Sequence, residues 1–252
     1  MYIRDTHAER DPAALAAFVR ANPFGALTTS IPHPTIDTLQ STHIVWVLDD
    51  GPSPTGLVLR GHMARANPQS KAIIDALKAE GKGNGELADD VLVLFTSTTH
   101  SYVTPRWMTD SKESTGKVTP TWQFSAVQAY GRPRIYHSRS EEERDETDGW
   151  LRRMVSDLTD QEEGKVTDEG WSLDEAPEKY TATLLKGIIG LEVPVRKIEG
   201  RFKVGQDETD GDWAGIVKGF QGEGTKLGDD MTHAMLERGT GRPGRGGCPL
   251  GA

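Results

Sequence analysis

Apolar and polar positions along the chain alternate between helical and strand-like spacing. After Asp11-Pro12, the run AALAAFVRAN places apolar residues three and four apart, behind an N-cap candidate and a proline at the first helical position, so it predicts a helix ending near Asn22-Pro23. Phe24 to Ser30 mixes β-branched and apolar residues as a strand does, and the Pro-rich IPHPT connects it to the next. His43 to Leu48 is a short apolar run closed by Asp49-Asp50-Gly51, a strand followed by a turn. Gly56 to His62 reads as a third strand, and Asn67-Pro68 opens a helix through Ile73, Ile74 and Leu77. EGKGNGE, from Glu80 to Glu86, reads as a flexible surface loop, and Asp90 to Phe95 as a central strand. Thr119 to Tyr130 and Arg132 to Tyr136 predict further strands, with Gly131 permitting a bulge between them. Ser140 to Leu158 sets Trp150, Leu151, Met154, Val155 and Leu158 on one helical face, and a second helix is expected over Pro177 to Ile188. Leu191 to Ile198 and Arg201 to Val204 would form a closing hairpin about Gly200.

Short antiparallel strands with helices at the start, in the middle and after the sheet point to an α+β barrel decorated with helices rather than a parallel doubly wound sheet. The glycines do not fall in GxGxxG or GxxxxGK[ST] order, so the usual dinucleotide and P-loop cradles are absent. Beyond about Phe220 glycine becomes frequent and apolar content falls. Residues 1–220 are therefore taken as the domain, and 221–252, ending in GTGRPGRGGCPLGA, as a disordered tail.

Composition narrows the function classes. A chain of 252 residues can close a core without disulfide staples. Its formal charge is -9, and no run of Lys and Arg interleaves with aromatics, which argues against direct nucleic-acid binding. Cys248 is the one cysteine, so there is neither a disulfide framework nor a CxxC metal pair, and a reducing, cytoplasmic setting is expected. The charged start carries no uninterrupted apolar segment, and no stretch of eighteen apolar residues occurs, so neither secretion nor membrane insertion is expected.

None of the seven histidines falls in HExxH or a Cys/His zinc spacing. His62 stands out because it directly follows a predicted strand, at the turn GHMARANP before a helix N-terminus. There an imidazole can ligate a haem iron or hydrogen-bond a flavin ring, or simply cap the turn. Arg65 and Asn67 suit a phosphate or propionate; the competing readings are a solvated arginine and a helix N-cap. His43 could face the same cavity or be structural. Tyr102 to Trp107 and Lys117 to Phe124 repeat Thr-Pro-x-Trp, which offers Trp107 and Trp122 as walls for a flat cofactor, or as core residues, with Lys117 a possible anion contact. No GxSxG elbow or Ser/His/Asp order is visible. Cys248-Pro249, the dipeptide of haem-responsive segments, lies in a glycine-rich tail where chance explains it.

These segments, in this order, resemble the PaiB-like family of FMN-binding split-barrel proteins. The stretches that carry the resemblance are MYIRDTHAERDPAAL, RANPFGALTT, STHIVWVLDD, GLVLRGHMARANPQ, SYVTPRWM, GKVTPTWQFSAVQAYGRPRI and GIIGLEVPVRKIEGRFKVGQ, from Met1 to about Gln206. The resemblance implies an α+β fold, an antiparallel six-stranded split β-barrel decorated with helices, and a homodimer with FMN at the subunit interface. A haem-using branch, typified by piperazate synthase, is similar in the GHM-RANP stretch. It implies haem b as the alternative cofactor, His62 as the axial metal ligand and an N-hydroxylated amine as substrate. Family names such as negative transcriptional regulator leave a third reading, a non-catalytic module acting through a partner. The chain departs from the family at Lys203 to Asp207 and at Gln123-Phe124.

Overall fold

The computed structural model describes residues 1–239; Cys248 lies outside the described residues. The strands are β1 (Ala8–Glu9), β2 (Phe24–Ser30), β3 (Leu39–Val45), β4 (Val47–Asp50), β5 (Leu57–Ala64), β6 (Gly85–Glu86), β7 (Val91–Thr96), β8 (Ser101–Val103), β9 (Thr121–Gly131), β10 (Arg134–Tyr136) and β11 (Ile188–Lys203). The helices are α1 (Pro12–Ala21), α2 (Pro68–Ala79), α3 (Asp110–Ser114), α4 (Arg144–Glu163), α5 (Glu178–Leu185), α6 (Asp210–Gly222) and α7 (Lys226–Gly239). The fold is α+β and antiparallel, as the sequence predicts, and six strands (β2, β3, β5, β7, β9 and β11) are six residues or longer. The chain divides into two compact units, one of residues 12–95 and 128–198, the other of residues 1–11, 96–127 and 199 onward.

In the larger unit the strands follow the order β3-β2-β7-β9-β11-β10-β6, with β5 between β4 and β11. β5 has a neighbour on each side, and Leu57, Val58, Leu59 and Met63 are buried in it. Its core includes Trp46, Ile73, Leu77, Phe95 and Ile189, all closed to solvent. Gly25 lets the Phe95 ring approach the β2 backbone, since a Cβ there would lie 2.6 Å from the ring. α4 lays Trp150, Leu151 and Met154 against Tyr136 and Leu185.

Three expectations are corrected here. The second strand is not one apolar run: β3 begins at Leu39 and β4 follows after Trp46, whose Nε1 donates to the Gly25 carbonyl at 3.4 Å. The 80–86 segment is tied down rather than loose. Asn84 Oδ1 accepts from the backbone N–H of His137 at 2.8 Å and of Ser138 at 2.9 Å, and both of those residues are buried. The closing hairpin is a single strand, because Gly200 stays extended opposite Glu9 of β1 and has no positive φ with which to turn.

In the smaller unit β1 pairs with the end of β11, and β8 pairs with the start of β9 at Tyr102 opposite Trp122. Val103, Met108, Val204, Trp213, Ile216, Val217, Phe220, Met231 and Met235 form its core. This corrects the expected tail over 221–239, while 240–252 lie outside the described residues: Gly224, at φ 61°, turns the chain from α6 into α7, and Met231 and Met235 on α7 are fully buried. Glycine content hid a helix whose apolar positions recur four apart. Among the described residues no helix is long and apolar enough to cross a membrane, and no group of three or more His, Cys, Asp or Glu is placed to hold a metal ion.

Candidate functional site

His62 lies on β5 directly opposite Gly190 of β11, and Gly190 in turn lies opposite Tyr136 of β10. Residues paired in this way share a face of the sheet, so His62, Gly190 and Tyr136 form one row. Glycine is required in the middle: a Cβ on Gly190 would come 2.2 Å from the Trp150 ring. Trp150 stacks on Tyr136 with centroids 4.3 Å apart and an interplanar angle of 12°, so α4 lays an aromatic pair across the row beside His62. The next row, Arg60, Glu192 and Arg134, is ionic. Glu192 accepts from Trp150 Nε1 at 3.2 Å, Arg60 pairs with Asp49 and with Asp157 at 2.7 Å, and Arg134 pairs with Glu146 at 3.1 Å.

This setting fixes the chemistry of the imidazole. Burial pushes the His62 pKa down, so the ring is neutral at neutral pH. Its Nδ1 is sealed from solvent and has no hydrogen-bond partner among the described residues. A neutral ring can hydrogen-bond a flat heteroaromatic, or coordinate a metal, through its other nitrogen.

The neighbouring candidates are committed to the fold. Arg65 Nη2 donates to the His137 carbonyl at 2.6 Å, and its Nε donates to the Lys186 carbonyl at 3.3 Å. Burial, then the nearby Arg139, pushes its pKa down. Asn67 is the N-cap of α2: its Oδ1 accepts from Gln69 N–H at 2.8 Å, and its Nδ2 donates to Thr42 Oγ1 at 3.0 Å. His43 is on the same unit but exposed on β3, where its ring stacks on Phe24 at 5.4 Å.

The other three candidates belong to the smaller unit. Trp107 is packed, edge-on to Phe220 at 5.0 Å and pressed on α6 at Gly215 and Gly219, where a Cβ would come 2.0 Å from its carbonyl oxygen and 2.2 Å from its ring. The i, i+4 spacing of Gly215 and Gly219 was the sequence signal for this close approach. Trp122 is 49% exposed, and its Nε1 donates to His100 Nδ1 at 3.2 Å beside the exposed Tyr102. Lys117 is exposed. Sequence reasoning placed Trp150 on a helix face but did not connect it with Tyr136, Glu192 and His62. Only the strand register joins residues so far apart in the chain.

The family model described as "Putative FMN-binding domain" matches residues 1–197. Protein AN0679 of Emericella nidulans is 43% identical over 95% of this chain and 98% of its own length. Protease synthase and sporulation protein PAI 2 of Bacillus subtilis is 26% identical over 94% of this chain and 95% of its own. Among solved structures, the FAD and haem binding protein from Mycobacterium smegmatis superposes with a TM-score of 0.49 at 13% identity, over 82% of this chain and 79% of that one.

Proposed function

The chain belongs to the FMN-binding domain family, whose model spans its residues 1–197, and from that premise we propose that it binds FMN non-covalently as a homodimer, with His62 contacting the flavin. The observation that carries this reading is the half-buried His62 ring, held neutral, its Nδ1 without a hydrogen-bond partner among the described residues, on the sheet face that carries the Tyr136–Trp150 stack. Bound FMN supplies one- or two-electron redox chemistry, so an oxidoreductase role follows from this reading, and a cofactor-sensing role is its regulatory counterpart.

A second reading is haem b held by His62 as axial ligand. It is favoured by the neutrality of the ring, since only neutral imidazole coordinates iron. It is disfavoured by Nδ1, because a metal-bound histidine ordinarily donates its other N–H to an acceptor, and none is placed there among the described residues. The visible spectrum of the full chain, as purified and after incubation with FMN or haemin, separates the two. Flavin absorption that persists through gel filtration is expected. A Soret band lost in His62→Ala would establish the haem reading instead, and uptake of neither would leave a binding module without a cofactor.

A further inference from the structure

The larger unit holds a crevice of about 180 Å³ at the C-terminal end of α2. α2 has 12 residues, so this end lies about 18 Å along the helix axis from the Asn67 cap and the GHMARANP turn. Three segments wall the crevice. β2 pairs with β7 so that Leu27 lies opposite Val93 and Thr28 opposite Leu92; continuing that register sets Thr29 opposite Val91. Thr29 and Val91 are buried and form the floor together with buried Leu87. α2 and its C-cap contribute Ala76 and, four residues on along the same face, Glu80. Ile31 and Pro32 close the third side.

These walls are tied in place. Ile31 N–H donates to the Thr38 carbonyl at 2.9 Å, and Leu87 N–H to the Pro133 carbonyl at 3.0 Å. His33, next after Pro32, meets Asp75 of α2 at 3.4 Å. A crevice fixed in this way admits a ligand without ordering its own walls first. Its charge has one sign: the lining holds Glu80, Asp89 and Asp90 and no Lys, Arg or His. The cations nearby are engaged, Lys82 with Glu80 at 2.6 Å, Arg196 with Asp90, and Arg132 with Glu86 at 3.5 Å. Asp89 has no ion-pair or hydrogen-bond partner among the described residues. The negative end of the α2 dipole lies at the same place.

We propose that this crevice binds a small primary amine, with Asp89 holding the ammonium at the mouth and Ala76, Leu87 and Val91 enclosing a short apolar or aromatic body. Two observations select an organic cation. Among the described residues no carboxylates are grouped to hold a metal ion, and the floor is largely apolar. Size sets the limit, since an apolar cavity of about 150 Å³ holds a benzene ring, so the ligand has about ten non-hydrogen atoms at most. The net charge of -9 favours the approach of a cation. The site stands whether or not the chain binds FMN, because none of its lining residues belongs to the row that carries His62.

The test titrates 2-phenylethylamine, 2-phenylethanol and phenylacetate into the full-length protein by isothermal calorimetry, and repeats the titrations with Asp89→Asn and Ala76→Leu, whose folding is checked by circular dichroism. Saturable uptake of the amine is expected, with the alcohol about tenfold weaker, the low end for a charge-assisted bond at an exposed mouth. Phenylacetate should not bind. Asp89→Asn should weaken the amine about tenfold and leave the alcohol unchanged, and Ala76→Leu should fill the space and abolish both. No saturable heat with the amine overturns the proposal, as does phenylacetate binding as tightly as the amine. Equal amine affinity in wild type and Asp89→Asn, or uptake retained by folded Ala76→Leu, overturns it as well. If Ala76→Leu misfolds, Asp89→Asn, at an exposed position, decides.

Discussion

Gly215→Ala should destabilise the protein, although by helix propensity alone it ought to stabilise it. Gly215 lies inside α6, where exchanging glycine for alanine is ordinarily favourable by about 0.5–1 kcal/mol. Its Cβ would, however, stand 2.0 Å from the carbonyl oxygen of Trp107, and that atom is backbone in a short turn begun by Pro105. Ordinary contact begins at about 3.5 Å, so α6 would have to move by more than 1 Å. Overpacking of this kind costs about 1–3 kcal/mol, and relief by retreat loosens the contacts of Trp107 with Phe220. The overlap outweighs propensity, and a net loss of about 1–2 kcal/mol is expected. Gly222→Ala is the control, at the last residue of α6 with nothing within 4 Å of its Cβ; it should be neutral or slightly stabilising. Urea denaturation followed by tryptophan fluorescence gives both differences as midpoint shifts at constant slope. A Gly215→Ala protein as stable as wild type would show that Trp107 does not press on α6, and would return it to the list of open aromatic surfaces.

Ending the chain at Gly222 removes α7 and with it the fully buried Met231 and Met235, each worth about 2–5 kcal/mol as a core residue, so the smaller unit should lose its cooperative transition in calorimetry. Asn84→Ala orphans two backbone donors at buried His137 and Ser138, a loss of about 1–3 kcal/mol for each, read by the same urea titration. Burial pushes the pKa values of His62 and His137 down, so the folded state binds fewer protons than the unfolded chain below about pH 6.5. Their contribution is complete above that pH and is lost as pH falls towards the lowered folded values. Denaturation midpoints should therefore drop between pH 7.5 and 5.5, and less steeply in His62→Gln.

Where local chemistry decides, the fold was legible. Asn67-Pro68 announced α2 because the cap and the proline at its first position act within one turn, and the apolar runs of β5 and β7 announced buried strands. What escaped depends on partners distant in sequence. The first half of β3 is polar because one face of an edge strand meets solvent, so no apolar run marks it. α7 was hidden by glycines that serve packing: Gly228 sits against the Phe220 carbonyl, where a Cβ would come 2.4 Å away. His62 was legible as a candidate from its place after a strand. Its surroundings were not, because Tyr136, Trp150 and Gly190 reach it only through the register of β5, β11 and β10.

The central claim, that His62 contacts a bound flavin, is tested most directly by titrating FMN into the full-length protein and into His62→Ala, following the visible flavin spectrum and its fluorescence. Saturable uptake of one FMN per chain is expected for the wild type. One hydrogen bond is worth about 0.5–1.5 kcal/mol, so binding by the variant should weaken about two- to thirteen-fold, with an unchanged circular dichroism spectrum. Equal affinity in the two proteins would contradict the role given to His62, and no uptake by the wild type would contradict the flavin assignment itself.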